Sequence, residues 1–173
     1  MYDSYFAGLD TTSSILEWVM AELLRHPSAL KKLQAEVRAV VNGKQHITDS
    51  DIEQMKYLKY VIMETTRLHP PLIPFPRVSM QDVTVMGFDI AKGTRVFISV
   101  WAIGRDPKLW DRPNDFVPVR FDEGYVDFTM HDFKLLPFGA GRRSCPGREL
   151  SLAMVESLLA NLLCKFDWAR RRK

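Results

Sequence analysis

Pro137-Phe138-Gly139-Ala140-Gly141-Arg142-Arg143-Ser144-Cys145-Pro146-Gly147 is the stretch on which the fold of this 173-residue chain turns. Three glycines, two prolines and two arginines crowd around one cysteine. The segment then runs into apolar residues at helical spacing: Leu150, Met154, Val155, Leu158, Leu159, Leu162 and Leu163. This places Cys145 where a loop meets a helix over residues 146–164, with Pro146 at the first helical position. Amides at a helix start and neighbouring guanidiniums favour thiolate over thiol, and a thiolate is the form that binds iron. Gly139, Gly141 and Gly147 have no side chain, so the backbone can lie against a flat ligand and turn its amides toward sulfur. Phe138 is placed to shield the sulfur from water. Arg143, two residues before the cysteine, is placed to meet an anionic group on the ligand rim. A buried, unreactive cysteine after a glycine turn is the competing reading, and for the cysteine alone it is the better one. Against the whole pattern Phe-x-x-Gly-x-Arg-x-Cys-x-Gly, from Phe138 to Gly147, chance is a poor explanation.

Upstream of this segment the apolar period changes. Residues 5–26 read as a helix, with Ile15, Leu16, Val19, Met20, Leu23 and Leu24 at helical spacing. His26-Pro27 ends it and starts the next, with Pro27 in the first turn. Leu30, Leu33, Val37, Val40 and Val41 stripe that second helix, and Asn42-Gly43 stops it. Thr48 with Asp51 three positions on has the form of an N-cap box. A longer helix covers residues 54–68 and breaks at His69-Pro70-Pro71. Val83 to Ile90 and Thr94 to Val100 are β-rich, with Gly87 and Lys92-Gly93 as turns, and predict one small sheet. Residues 105–144 are mostly irregular, and a loop of that length in a compact domain usually serves function. The expectation is a mainly α chain with a small β-sheet, one partial domain over residues 1–173 without an internal linker or repeat.

Composition removes several function classes. With 46% hydrophobic and 26% charged residues the chain has a globular profile. The net charge of +3, without a long basic stripe, speaks against a nucleic-acid partner. Basic residues bunch only at Arg142, Arg143 and Arg148, and at Arg170 to Lys173. Two cysteines are too few for a disulfide scaffold, which favours a reducing compartment. Two cysteines and four scattered histidines do not make a structural zinc site. No run of about 18 apolar residues predicts a membrane span, and the first residues do not form a signal peptide. Both ends read as cut, the first entering a helical pattern with hardly any lead-in.

The cysteine segment resembles the haem-ligand signature of the cytochrome P-450 family at every fixed position: Phe138, Gly141, Arg143, Cys145 and Gly147. Ala7-Gly8-Leu9-Asp10-Thr11-Thr12, upstream as the family requires, resembles its oxygen-activation motif. Glu64-Thr65-Thr66-Arg67, followed by Leu68-His69-Pro70-Pro71, is similar to its Glu-x-x-Arg helix. Phe116-Val117-Pro118-Val119-Arg120-Phe121 resembles the run that supplies a third partner, Arg120, with Val119 where the family usually has Glu. Gly93 to Pro107 and His131 to Gly147 look most like the plant microsomal branch. The resemblance spans nearly the whole chain but covers only the C-terminal portion of a full member, an incomplete domain. The membrane anchor, the early helices and a final β-hairpin lie outside it.

This resemblance implies haem b as cofactor, with Cys145 as the metal ligand and Phe138, Gly139, Gly141, Arg143, Gly147 and Arg77 as haem-binding residues. It implies catalytic roles for Asp10, relaying protons, and Thr11, holding a water, with Gly8 letting the helix open beside them. Glu64, Arg67 and Arg120 would form a buried structural triad. Ala7, Gly8, Leu72, Ile73, Pro74 and Phe75 would line the substrate pocket. The implied activity is a monooxygenase that inserts one atom of dioxygen, its co-substrate, into a small hydrophobic substrate. An NADPH-cytochrome reductase would supply electrons, facing Arg142, Arg143 and Arg148. The implied location is the cytosolic face of the endoplasmic reticulum membrane. A hydroperoxide-rearranging branch typically loses the acid-threonine pair, so Asp10-Thr11 favours the monooxygenase. The competing class is a truncated, catalytically incompetent piece, with or without haem. His69 is expected to cap a helix end; Trp101, Trp110 and the methionines are expected in the core; Cys164 is expected to be inert; His131 lacks motif support.

Overall fold

The computed structural model describes residues 2–72, 74–122 and 133–170, the side chains of residues 2–6, 74 and 75 excepted. Four helices carry the main core: α1 (Tyr2–Arg25), α2 (Pro27–Val41), α4 (Lys56–Leu68) and α6 (Arg148–Lys165), with the short α3 (Asp49–Gln54) between the second and third of them. Punctuation by local chemistry is clear. Pro27 occupies the first turn of α2, and Asn42 ends that helix in the left-handed region (φ 44°), its N–H donating to Arg38 O at 2.9 Å. Thr48 and Asp51 form a reciprocal capping box on α3.

The helix expected over residues 54–68 begins later. Met55 (φ −85°, ψ 78°) leaves helical geometry and separates α3 from α4. The first amides of α4 are then capped from a distance. Glu36 of α2 accepts from Tyr57 N and Leu58 N at 2.8 and 2.9 Å, satisfying donors that no local side chain reaches. Val19 and Leu23 of α1, Leu33 and Val37 of α2, Leu58 and Val61 of α4, and Leu159 and Leu163 of α6 are fully buried together. Each such side chain contributes about 1.5–3 kcal/mol on leaving water. Cys164 packs half-buried against this cluster.

The β-rich segment forms two separate antiparallel ribbons, correcting the single small sheet. β1 (Pro74–Val78) pairs with β4 (Arg95–Ser99), and β2 (Val83–Val85) pairs with β3 (Phe88–Ile90). The second is a tight hairpin whose Met86-Gly87 corner has both φ values positive, 51° and 84°. Val100 is not strand. Ser99 ends β4 and caps the four-residue α5 (Val100–Ile103), its hydroxyl accepting from Ala102 N at 3.3 Å.

Four other expectations are revised. α6 starts at Arg148 with Gly147 as N-cap, so Pro146 stands outside the helix. Its buried face is narrower than the apolar pattern suggests. Val155, Leu159 and Leu163 are covered by α1, α2 and α4, whereas Leu150 (68% exposed), Met154 and Leu158 form a parallel stripe left open. Trp101 is exposed with the Arg105 guanidinium 4.6 Å over its ring, while Trp110 joins Met63, Phe121 and Leu135 in a small second core. Met55 and Met63 are core, but Met80 and Met86 are exposed. The segment from Arg105 to Ser144 is irregular where described, broken by 3-10 turns at Pro118–Phe121 and Gly141–Arg143.

Candidate functional site

The cysteine segment folds back on itself. Cys145 N–H donates to Phe138 O at 2.9 Å, Ser144 N–H to Gly141 O at 3.1 Å, and Gly139 N–H to Leu136 O at 3.2 Å. Gly139 and Gly141 take φ values of 69° and 73°, where a side chain is strained. The bend presents Cys145 at the surface, two residues before the N-cap of α6. This removes the reading of a cysteine walled in by hydrocarbon. Gly147 has ordinary backbone geometry (φ −92°), but a Cβ there would stand 4.0 Å from Cys145 Sγ. Its missing side chain leaves that flank of the sulfur uncovered. Phe138, whose carbonyl accepts from Cys145 N, is half-buried.

Three arginines, Arg77 and Arg95 of one ribbon and Arg143 of the cysteine segment, meet on one cavity. An open hollow of about 370 Å³ is lined by Pro76, Arg77, Val78, Arg95, Phe97 and Arg143. Arg77 comes from β1, paired opposite Val96 of β4, and also donates to Pro76 O at 2.8 Å. Arg143 comes from the turn just before Cys145.

α1 shows where the chain stops covering itself. Its buried stripe runs Leu23, Val19, Ile15, Thr12. One turn further toward the N-terminus the same stripe reaches Gly8, where a Cβ would meet nothing within 4 Å outside its own helix. Ala7, Gly8, Asp10 and Thr11 are all exposed. Helix α1 passes through this region without a break, so the local opening expected at Gly8 is not present in this conformation. The Thr11 hydroxyl donates to Ala7 O at 2.5 Å, which leaves its lone pairs able to accept from a water. Leu72 is exposed; the backbone at Pro74 and Phe75 lies in β1; Ile73 and His131 lie outside the described residues.

On the other side, Glu64 (0% exposed) and Arg67 (1%) form a two-pronged ion pair inside the protein, Nε–Oε2 and Nη2–Oε1 both 2.8 Å. Arg120 Nε reaches Glu64 Oε1 at 3.1 Å, and Val117 N donates to the same oxygen at 2.8 Å. Arg67 spends its remaining donors on the carbonyls of Gly104, Pro113 and Asp115, at 2.5, 2.6 and 3.0 Å. Arg120 donates to Asp111 O and Arg112 O. The three side chains thus tie the irregular segment to α4.

Sequence reasoning missed two members of this surround. Gly104 has no room for a side chain, since a Cβ would fall 2.5 Å from the Arg67 carbonyl oxygen. Glu22 of α1 is 5% exposed and holds His69 Nε2 at 2.8 Å and His26 Nδ1 at 3.2 Å. His69 does end α4, its N–H donating to Thr65 O, and its ring also stacks on Trp18 at 3.9 Å. An acid inside the apolar stripe of α1 was the available signal for Glu22; Gly104 had none. Arg105 is depressed by its own burial and then by the charge of Arg67.

The donor set suits a flat iron macrocycle with anionic arms. A surface thiol on a hydrogen-bonded bend would hold the iron, Arg77, Arg95 and Arg143 line one hollow, and the open end of α1 is left uncovered. The comparisons with known proteins agree on the class. A family model, cytochrome P-450, matches residues 1–173. Cytochrome P-450 71A8 of Mentha piperita is 57% identical over 167 residues, 96% of this chain and 33% of that protein. Cytochrome P-450 736A117 of Prunus mume is 53% identical over 169 residues, again 96% and 33%. A norfluorocurarine oxidase of Strychnos sp is 49% identical over 168 residues, with the same shares. The chain belongs to the cytochrome P-450 family. It spans about a third of the length of the curated relatives it matches, and its mainly α fold with small antiparallel ribbons is part of that family's domain.

Proposed function

We propose that the polypeptide carrying this chain is a haem-thiolate monooxygenase. It would convert a small hydrophobic substrate, dioxygen, two electrons and two protons into the hydroxylated product and water. The observation that carries this reading is Cys145, exposed on a glycine bend, with Arg143 beside it and Arg77 on the same hollow. Haem b, held through Cys145, would supply the redox chemistry that activates dioxygen, with the thiolate donating electron density to the iron.

The chain's own residues do the rest. Gly139 and Gly141 shape the bend that offers the sulfur, and Gly147 leaves its flank clear. Arg77 and Arg143 bind two carboxylate arms of the macrocycle, and Phe138 limits water at the sulfur side. On the opposite wall Ala7 and Gly8 give the substrate room. Thr11 accepts a water's hydrogen bond while donating to Ala7 O, and the exposed Asp10 carries protons from solvent toward it. By the family resemblance, Leu72, Ile73, Pro74 and Phe75 would line the substrate pocket. Among the described residues, the hydrogen bonds of the triad of Glu64, Arg67 and Arg120 go to the irregular segment that leads to the bend.

Electrons come from an NADPH-dependent reductase, with Arg142, Arg143 and Arg148 on the facing surface. For the whole polypeptide we place the location at the cytosolic face of the endoplasmic reticulum, by resemblance to the family. Among the described residues, no helix is long and apolar enough to cross a membrane. A second reading, a piece that cannot turn over alone, is favoured by the open apolar residues Leu9, Leu150, Met154 and Leu158. The test is the spectrum of the reduced carbonyl complex. A thiolate-type band that disappears in Cys145→Ala supports haem ligation, and its absence in the parent protein sinks it. Substrate turnover with reductase then separates an enzyme from an incompetent piece.

A further inference from the structure

We propose that Thr12 and Ser151 form a positioning contact that sets how Thr11 of α1 stands relative to the Cys145 bend at the start of α6. The proposal rests on the haem-thiolate reading above. Thr12 is 5% exposed and is the last covered residue of the α1 stripe before the open end at Gly8. Its Oγ1 lies 3.3 Å from Ser151 Oγ, and either hydroxyl can donate. Ser151 sits in the first turn of α6, and its N–H donates to Gly147 O at 2.9 Å. A short route therefore joins the two sides: Cys145, Pro146, Gly147, across a backbone hydrogen bond to Ser151, across the hydroxyl pair to Thr12, and on to Thr11.

Both side chains are small, so the helices approach closely where they cross. A hydroxyl pair also holds separation and rotation more sharply than two methyl groups, because a hydrogen bond weakens steeply with distance and angle. Rotating α1 at Thr12 turns Thr11 by the same angle relative to the cysteine bend. The water held on Thr11 is then misplaced for proton delivery, and positioning errors well under the length of a bond matter for such transfers. The consequence is a change in where electrons go. In the coupled reaction two electrons and two protons yield product and water. In the uncoupled one they reduce dioxygen to hydrogen peroxide.

The experiment uses the holoprotein expressed with the sequence that flanks this chain in its reading frame. Thr12→Val, Ser151→Ala, their double variant, Thr12→Ser and the wedge Ser151→Val are compared for three readouts: the thiolate-type carbonyl band, the thermal midpoint, and peroxide released per NADPH consumed. Loss of one such hydrogen bond predicts about a threefold rise in the peroxide-to-product ratio in either single variant. The double variant is no worse than the singles, because they remove the same contact. Thr12→Ser restores coupling, and the wedge uncouples further. A normal carbonyl band with an unchanged peroxide ratio in all variants overturns the positioning role alone, as does additivity of the two singles. Absence of the band in the parent protein overturns the haem reading, and the positioning role with it.

Discussion

The buried charge cluster and the cysteine bend are opposite solutions to the same requirement, that polar groups find partners. Around Glu64 every partner comes from this chain. Its carboxylate is filled by Arg67, Arg120 and Val117 N, and Arg67 fills itself with three backbone carbonyls. The cysteine bend satisfies its own backbone in the same way, through Cys145 N–H to Phe138 O. Yet Cys145 is exposed, and Arg143 of the bend lines an open hollow together with Arg77 and Arg95 of the β1–β4 ribbon. The closed region is complete as polypeptide. Under the proposed function the open region would receive a group that is not, and the comparison would then separate residues that hold the fold from residues that do the chemistry.

The strongest way to break that division is at the sulfur. Cys145→Ala in the holoprotein is expected to abolish the thiolate-type carbonyl band and turnover, while the thermal midpoint of the protein freed of haem hardly moves. A large fall in that midpoint would place Cys145 among the structural residues instead. The converse holds at the ion pair. Glu64→Gln or Arg67→Ala leaves a buried charge without its partner, at a cost of about 3–5 kcal/mol. The expected outcome is loss of folded, soluble protein before any spectral change can be read. Unfolding midpoints equal to the parent's would show that water reaches the cluster and that it is not closed. Arg120→Ala, whose side chain is 11% exposed, is expected to cost less than either.

What the sequence could reveal divides along similar lines. Signals confined to a few neighbouring residues were legible: Pro27 in the first turn of α2, Asn42 at its left-handed end, and the Thr48–Asp51 box. So were residues whose type and spacing are fixed together, as at Phe138, Gly141, Arg143, Cys145 and Gly147, where family membership followed. Long-range satisfaction was not legible. Nothing near Tyr57 shows that Glu36 will cap α4, and nothing near Leu150, Met154 and Leu158 shows that their stripe stays uncovered while Leu159 and Leu163 are buried. Burial is decided by what else packs, and helical periodicity marks only what is apolar. The two ribbons were merged into one sheet for the same reason, since strand signals carry no partner identity.

Gly104 tests how tightly the closed region is packed. Its carbonyl accepts from Arg67 Nη1, and the Arg67 carbonyl oxygen occupies the place of a side chain. Gly104→Ala must push α5 away from α4, at about 1–3 kcal/mol for overpacking. Gly141→Ala, in open space but at φ 73°, is expected to cost about 1–2 kcal/mol from backbone conformation alone. Thermal midpoints of the two variants should therefore fall by comparable amounts. Only Gly141→Ala should also alter the carbonyl band, because only that residue lies in the bend that presents the sulfur. If Gly104→Ala disturbs the band equally, the two regions are mechanically coupled and the division is too sharp.

The smallest effect sharpens the comparison through acid. Asp51, at the start of α3, is held down to about 2 from an ordinary 3.8, chiefly by its hydrogen bond with Lys44 and then by those from the Thr48 N–H and hydroxyl. A carboxyl lowered in the folded state contributes stability that is complete above 3.8 and is lost as pH falls from there toward 2. Parent protein and Asp51→Asn should differ in unfolding midpoint above that window and converge below it. The box lies far along the chain from Cys145, in the region that closes on its own groups. The same substitution should therefore leave the carbonyl band and its pH dependence untouched, and a shift in either would mean that capping at α3 is felt at the bend.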